Sequence, residues 1–177
     1  MDAFSIHGGQ RLTGSISVDG SKNASLPLLA ASLLTKEPLH FDFVPDLSDI
    51  TNMGRLLTEL GCKVEQSTNK ITLQVTDEST SHARYDIVRT MRASVCVLGP
   101  LLARRGKVRV SMPGGCAFGD RPIDLHLRGL EALGATIELD GGDIIARADK
   151  LIGATIFLGG PFGSTVLGTA NVMSAAT

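Results

Sequence analysis

The chain repeats itself. LLAASLLTKEPLHFDFVP at 28–45 lies against CVLGPLLARRGKVRVSMP at 96–113, with Leu33, Leu34 and Pro45 matching Leu101, Leu102 and Pro113. Further on, LGCKVEQSTNKITLQ at 60–74 lies against LGATIELDGGDIIAR at 133–147. Self-similarity over such a span means one supersecondary unit used more than once. The second match is offset by five residues more than the first, so the extra residues fall between Pro113 and Gly134.

Hydrophobic periodicity says what the unit is. Helical spacing runs over 23–34, 47–60, 91–102 and 124–133, and alternation marks strands at 15–18, 39–43 and 107–111. Paired short strands follow two of the helices, 63–66 with 71–74 and 136–139 with 143–147. The second pair turns on Asp140-Gly141-Gly142, a strong hairpin signal. Each unit therefore reads helix, strand, helix, strand, strand. A third begins with a strand expected at 154–158, then the loop GGPFGST and the helix-like VLGTANVMSAAT. Its second helix and hairpin do not follow, which reads as a truncated unit or as a helix that simply ends the domain.

Composition excludes several classes. Seventeen basic and eighteen acidic residues are interspersed, with none of the basic excess of a nucleic-acid binder. Arg104 and Arg105 read as a helix C-terminus and solvated turn. No apolar run reaches the ~20 residues of a membrane span, and the N-terminus lacks the pattern of a secretory signal. A cytoplasmic protein is expected. The three cysteines, Cys62, Cys96 and Cys116, lack disulfide or zinc spacing. No metal site is expected: His7, His40 and His82 are scattered, and His126 reads as a helix-surface residue.

Three segments can carry chemistry. In SKNASLP at 21–27, Lys22 and Asn23 stand at a helix start, where free N–H groups and a partial positive charge suit a phosphate or carboxylate. A plain capped helix with a solvated lysine reads equally well. In RTMRAS at 89–94, Arg89 and Arg92 are spaced to share a helix face at the matching place of the second unit, and so either grip an anion or sit in solvent. PGGCAFGDRPID at 113–124 is the inserted loop. Cys116 there reads as an accessible thiol, its pKa lowered by Arg121 against the opposing Asp120, or as a small apolar anchor. Cys62 and Cys96 sit in apolar periodic contexts and read as core residues. Asp124 is a first-turn or N-cap carboxylate, or a ligand contact beside Arg121. No GxGxxG or Walker motif stands in the required context.

GSKNASLP, YDIVRTMRASVCVLGPLLAR, PGGCAFGDRPIDLHLRGLEALGA and TANVMSAAT, in this order, resemble the UDP-N-acetylglucosamine 1-carboxyvinyltransferases, the enolpyruvyl transferases of the first committed step of peptidoglycan synthesis. The resemblance is to the N-terminal portion of the family and covers less than half of a member. It implies an α/β fold of repeated βαβαββ units, an inside-out α/β barrel similar to that of 5-enolpyruvylshikimate-3-phosphate synthase. Residues 1–21 would be N-terminal strands of a second domain, and 22–177 an incomplete first domain with units at about 22–75, 85–148 and 154–177.

The resemblance further implies transfer of the enolpyruvyl group of phosphoenolpyruvate to the 3′-hydroxyl of UDP-N-acetylglucosamine with release of phosphate, without metal or redox cofactor. Lys22 and Asn23 would contact phosphoenolpyruvate. Arg92, the run Arg121, Pro122, Ile123, Asp124, Leu125, and Ser164, Thr165, Val166 would bind the UDP-sugar. The GSTV sequence at 163–166 departs from the better-known version of that loop. Cys116 would be the proton donor and the target of fosfomycin-type epoxides. The general base would lie in the other half, so the 177-residue chain alone is expected to be inactive. Other readings are a non-catalytic UDP-sugar-binding module, the shikimate-pathway relative, disfavoured by Cys116 and RPIDLH, and a relative acting on RNA 3′ ends, disfavoured by the charge balance.

Overall fold

The computed structural model describes residues 3–113, 122–161 and 163–177. Ser21 opens the first helix, α1 (Lys22–Ala31). Its backbone is extended and its hydroxyl accepts from the Ala24 N–H at 3.3 Å. A 3-10 turn over Ser32–Leu34 ends the helix. Next come β1 (Leu39–Asp42) and α2 (Ser48–Glu59), whose Ile50, Met53, Leu56 and Leu57 are buried along one face. Each such side chain contributes roughly 1.5–3 kcal/mol of burial. The hairpin β2 (Cys62–Ser67) and β3 (Lys70–Val75) closes the unit, with Ile71, Leu73 and Val75 alternating into the core.

The second unit begins with β4 (His82–Ala83), a short strand the periodicity did not reveal. After it come α3 (Tyr85–Val88), a 3-10 helix over Arg92–Val97, α4 (Leu98–Arg105), β5 (Lys107–Ser111), α5 (Asp124–Ala132) and the hairpin β6 (Thr136–Asp140), β7 (Asp143–Arg147). Gly141 and Gly142 turn that hairpin with φ of 58° and 86°, as a two-residue primed turn requires. The third unit supplies β8 (Gly159–Gly160), β9 (Gly163–Ser164) and α6 (Val166–Ala175).

Sheet order confirms the duplication. One sheet runs β1-β3-β2 and the other β4-β5-β7-β6. β1, β3 and β2 thus correspond to β5, β7 and β6, with antiparallel pairing throughout, while β4 joins β5 in parallel. The helices α4 and α5 each pack against α6, and all three run the same way. Val95 and Gly99 meet Asn171, while His126 and Gly129 meet Gly168 and Val172. Further along, Leu102 and Ala175 line one cavity. Their N-termini therefore share one end of the fold.

Four expectations are corrected. Residues 15–18 are not a strand: 3–19 lie exposed, with Ile16 and Val18 about nine-tenths accessible, and no described residue offers them a ladder. Residues 154–158 are not a strand either. The Arg128 guanidinium donates to the carbonyls of Phe157 (2.9 Å) and Gly159 (2.7 Å), so a side chain takes the place of a neighbouring strand. Arg89 and Arg92 do not share a helix face. Arg89 caps α3, Met91 is extended and buried, and Arg92 opens the next helix. The Ser94 hydroxyl donates to Met91 O at 2.7 Å and holds that break. Arg105 is not in a solvated turn: its guanidinium donates to the carbonyls of Thr80 and Leu60 and ties the two units together.

Candidate active site

Lys22 is the first residue of α1, and its ammonium lies 2.9 Å from Asp49 Oδ2, in the first turn of α2. Asn23 is exposed beside it. Pro27 lies within the same helix and has no N–H to give. The carbonyl four residues earlier, that of Asn23, therefore lacks its helical partner at the end where Lys22 stands. α1 packs against the 3-10 helix that Arg92 opens and against α6.

Arg92, the segment 122–125 and the segment 164–166 meet at the shared N-terminal end. Leu125 packs within side-chain reach of Gly160, which joins the start of α5 to the β8–β9 turn. Ile123 is buried and holds α5 in place, its carbonyl accepting from the His126 N–H at 2.9 Å. Asp124 is the first residue of α5 and caps it through no side-chain bond, so its exposed carboxylate complements the helix dipole. Pro122 is exposed ahead of it. Thr165 is the N-cap of α6: its hydroxyl accepts from the Gly168 N–H at 3.0 Å. Ser164 and Val166 flank it, both exposed.

Cys116 and Arg121 lie outside the described residues, but the residue ahead of their segment is anchored. The Met112 N–H donates to Gly142 O at 2.8 Å. The Ser111 hydroxyl donates to Asp143 Oδ1 at 2.6 Å, and Arg109 Nε reaches Asp143 Oδ2 at 2.5 Å. The Ser111 hydroxyl, then the Arg109 guanidinium, hold the Asp143 carboxyl below its usual range against the opposing effect of burial. The other two thiols are core residues, as expected. Burial pushes Cys96 up to about 12 and raises Cys62 as well, so neither is a ready thiolate.

Sequence reasoning missed the centre of this end. His126 is 4% exposed, not on the helix surface, because Gly129 and Gly168 bring α5 and α6 close. Its Nδ1 lies 3.0 Å from Asn171 Nδ2. Burial first, and the Arg92 charge second, lower its pKa to about 4, with Asp124 opposing. One half of the signal was present in the sequence: Asn171 is an amide in the mostly apolar stretch 166–175, and such a residue, when buried, must find partners. Among the described residues, no group of three or more His, Cys, Asp or Glu could hold a metal ion. No helix there is long and apolar enough to cross a membrane.

The family model for EPSP synthase (3-phosphoshikimate 1-carboxyvinyltransferase) matches residues 6–177. A UDP-N-acetylglucosamine 1-carboxyvinyltransferase of Methylacidiphilum infernorum is 53% identical over 99% of this chain, and one of Desulfatibacillum aliphaticivorans equally so. The chain spans 42% of the length of each. The crystal structure of the enolpyruvyl transferase NikO from Streptomyces tendae superposes with a TM-score of 0.78 at 22% identity, over 96% of this chain and 40% of that one. An EPSP synthase of Acinetobacter baumannii gives 0.66 at 14% identity, over 92% of this chain and 37% of that one. These last two likenesses concern the fold.

Proposed function

The chain belongs to the EPSP synthase family of carboxyvinyl (enolpyruvyl) transferases, and from that premise we propose that it serves the transfer of the enolpyruvyl group of phosphoenolpyruvate to the 3′-hydroxyl of UDP-N-acetylglucosamine. The observation that carries this reading is the 53% identity over 99% of the chain with relatives bearing that activity's name. The convergence of Arg92, Asp124 and Thr165 at one end of parallel helices supports it. This would be the first committed step of peptidoglycan synthesis, a cytoplasmic reaction serving cell-wall growth and division.

In this reading Lys22 and Asn23 hold the phosphate and carboxylate of phosphoenolpyruvate, where a helix start and an ammonium offset their charge. Arg92, Arg121 to Leu125, and Ser164 to Val166 hold the UDP-sugar. Cys116 gives its proton to the methylene carbon, which makes C2 electrophilic. The 3′-hydroxyl oxygen bonds to C2 and loses its proton to a base. The tetrahedral phospho-ketal then expels phosphate and loses a proton from its methyl group to the Cys116 thiolate, leaving the enolpyruvyl ether. Residues 1–21 complete a second domain, and that half supplies the base. Because the chain spans 42% of its relatives' length, the 177 residues alone bind the UDP-sugar without turnover.

The test is twofold. A protein of the relatives' full length carrying this segment releases phosphate from phosphoenolpyruvate only when UDP-N-acetylglucosamine is present, and Cys116→Ala stops it. Phosphate release driven by shikimate 3-phosphate instead would overturn the choice of acceptor. Turnover by the 177-residue chain at a comparable rate would overturn the division of labour.

A further inference from the structure

Asn171 Oδ1 accepts from the Gly99 N–H at 2.8 Å, and Nδ2 donates to Val95 O at 2.8 Å. These two bonds fix the amide. Turned over, it would face a donor with a donor and a carbonyl with a carbonyl. One Nδ2 hydrogen remains, and it points at His126 Nδ1, 3.0 Å away. Asn171 is 1% exposed, so water cannot replace any partner cheaply. His126 Nδ1 must then be an acceptor. An imidazolium, or the tautomer with its proton on Nδ1, would set two donors against each other.

We propose that Asn171 is a positioning residue that holds His126 as the neutral imidazole with its proton on Nε2, so that the ring adds no positive charge beside the Arg92 guanidinium. Among the described residues, the charged groups acting on the ring are Arg92 and Asp124, of opposite sign. Burial and Arg92 both disfavour the cation, and Asn171 excludes it by hydrogen-bond polarity. An anionic ligand at this end meets, beside the Arg92 guanidinium, a neutral ring whose state does not change near neutral pH. What that ligand is rests on the UDP-sugar reading above; the state of His126 does not.

The test is nitrogen NMR on the 177-residue chain labelled with 15N, in which four histidines give a tractable spectrum. His126 is expected to show a protonated Nε2 and an unprotonated Nδ1 from pH 8 down to about 5, with a coupling across the Asn171 Nδ2–His126 Nδ1 hydrogen bond. A protonated Nδ1 in that range, or titration near the ordinary value of about 6.5, overturns the proposal without any variant. Asn171→Asp offers an acceptor in place of the donor and is expected to move the midpoint of His126 above about 7. Asn171→Leu is expected to give a mixture of tautomers. A ring still purely Nε2-protonated in a folded Asn171→Leu chain overturns the role of Asn171. A separate titration with UDP-N-acetylglucosamine reports on the ligand: absence of binding there sinks the functional reading and leaves the tautomer result standing.

Discussion

Lys22 Nζ lies 2.9 Å from Asp49 Oδ2 and so links the first turns of α1 and α2 across the mouth of the proposed phosphoenolpyruvate site. The lysine side chain is 43% exposed, and an ion pair of this kind contributes at most about 1 kcal/mol. Lys22→Ala should therefore leave the urea midpoint of the chain nearly unchanged while removing turnover from the full-length protein. Asp49→Asn should lower the KM for phosphoenolpyruvate, since the carboxylate competes with the substrate for the ammonium. A raised KM in that variant would show that Asp49 orients Lys22 instead.

Gly99 is where α4 and α6 touch backbone to backbone. A Cβ there would fall 2.0 Å from the Asn171 carbonyl oxygen. Gly99→Ala must push the helices apart, and overpacking of this kind costs about 1–3 kcal/mol. Denaturant unfolding should show the midpoint drop at unchanged slope. Gly141→Ala, which meets open space but a φ of 58°, should cost less.

Thr165 caps α6 and is also a proposed ligand contact. Thr165→Ala should cost ~1 kcal/mol of stability, whereas Thr165→Ser should keep the cap. If Thr165→Ser holds its stability yet weakens UDP-sugar affinity several-fold, the methyl group touches ligand.

Thiol labelling should separate the cysteines. Cys62 and Cys96 are buried with raised pKa values. Both should resist iodoacetamide at pH 7.5 until the chain unfolds, so that mass spectrometry finds the first adduct at Cys116. Early modification of Cys96 would mean that the core opens at α4.

Acid should weaken the fold in two stages. His126 has its native pKa depressed to about 4 from 6.5. The unfolded chain then binds the extra proton first, so its contribution is full above about 6.5 and is lost as pH falls toward 4. Glu78 is held down to about 2 from 4.5 by hydrogen bonds from Lys36, then Arg104. Its contribution is full above about 4.5 and fades toward 2. Melting temperature against pH should lose the upper stage in His126→Phe and show a smaller lower stage in Glu78→Gln, the remainder coming from carboxylates such as Asp143 that are held down as well.

The repeat was legible because a duplicated core must repeat its apolar spacing. Ile71 and Leu73 are buried in β3, and Ile144 and Ala146 are buried at the matching places of β7. β4 was not legible, since His82–Ala83 is too short for any period and is held by its pairing with Arg109 and Val110. The segment at 15–18 alternates and 154–158 is a short apolar run, yet such a pattern describes a face and does not supply a neighbouring strand. Lys22 and Arg92 could be placed because helix starts have a local chemistry, whereas Thr165 came from the resemblance alone. His126 and Asn171 could not, because their meaning arises where two helices approach through glycine and is written in neither segment alone.

The loop between β5 and α5 is clamped at both margins by main-chain bonds, Met112 to Gly142 on one side and Ile123 to His126 on the other. Those clamps make the two margins of the loop structurally self-sufficient. Evolution can thus lengthen, shorten or rewrite the residues between them, the proposed proton donor Cys116 included, without renegotiating the scaffold. The first copy of the unit, with its shorter connection between β1 and α2, shows what the same frame looks like when nothing has been hung on it.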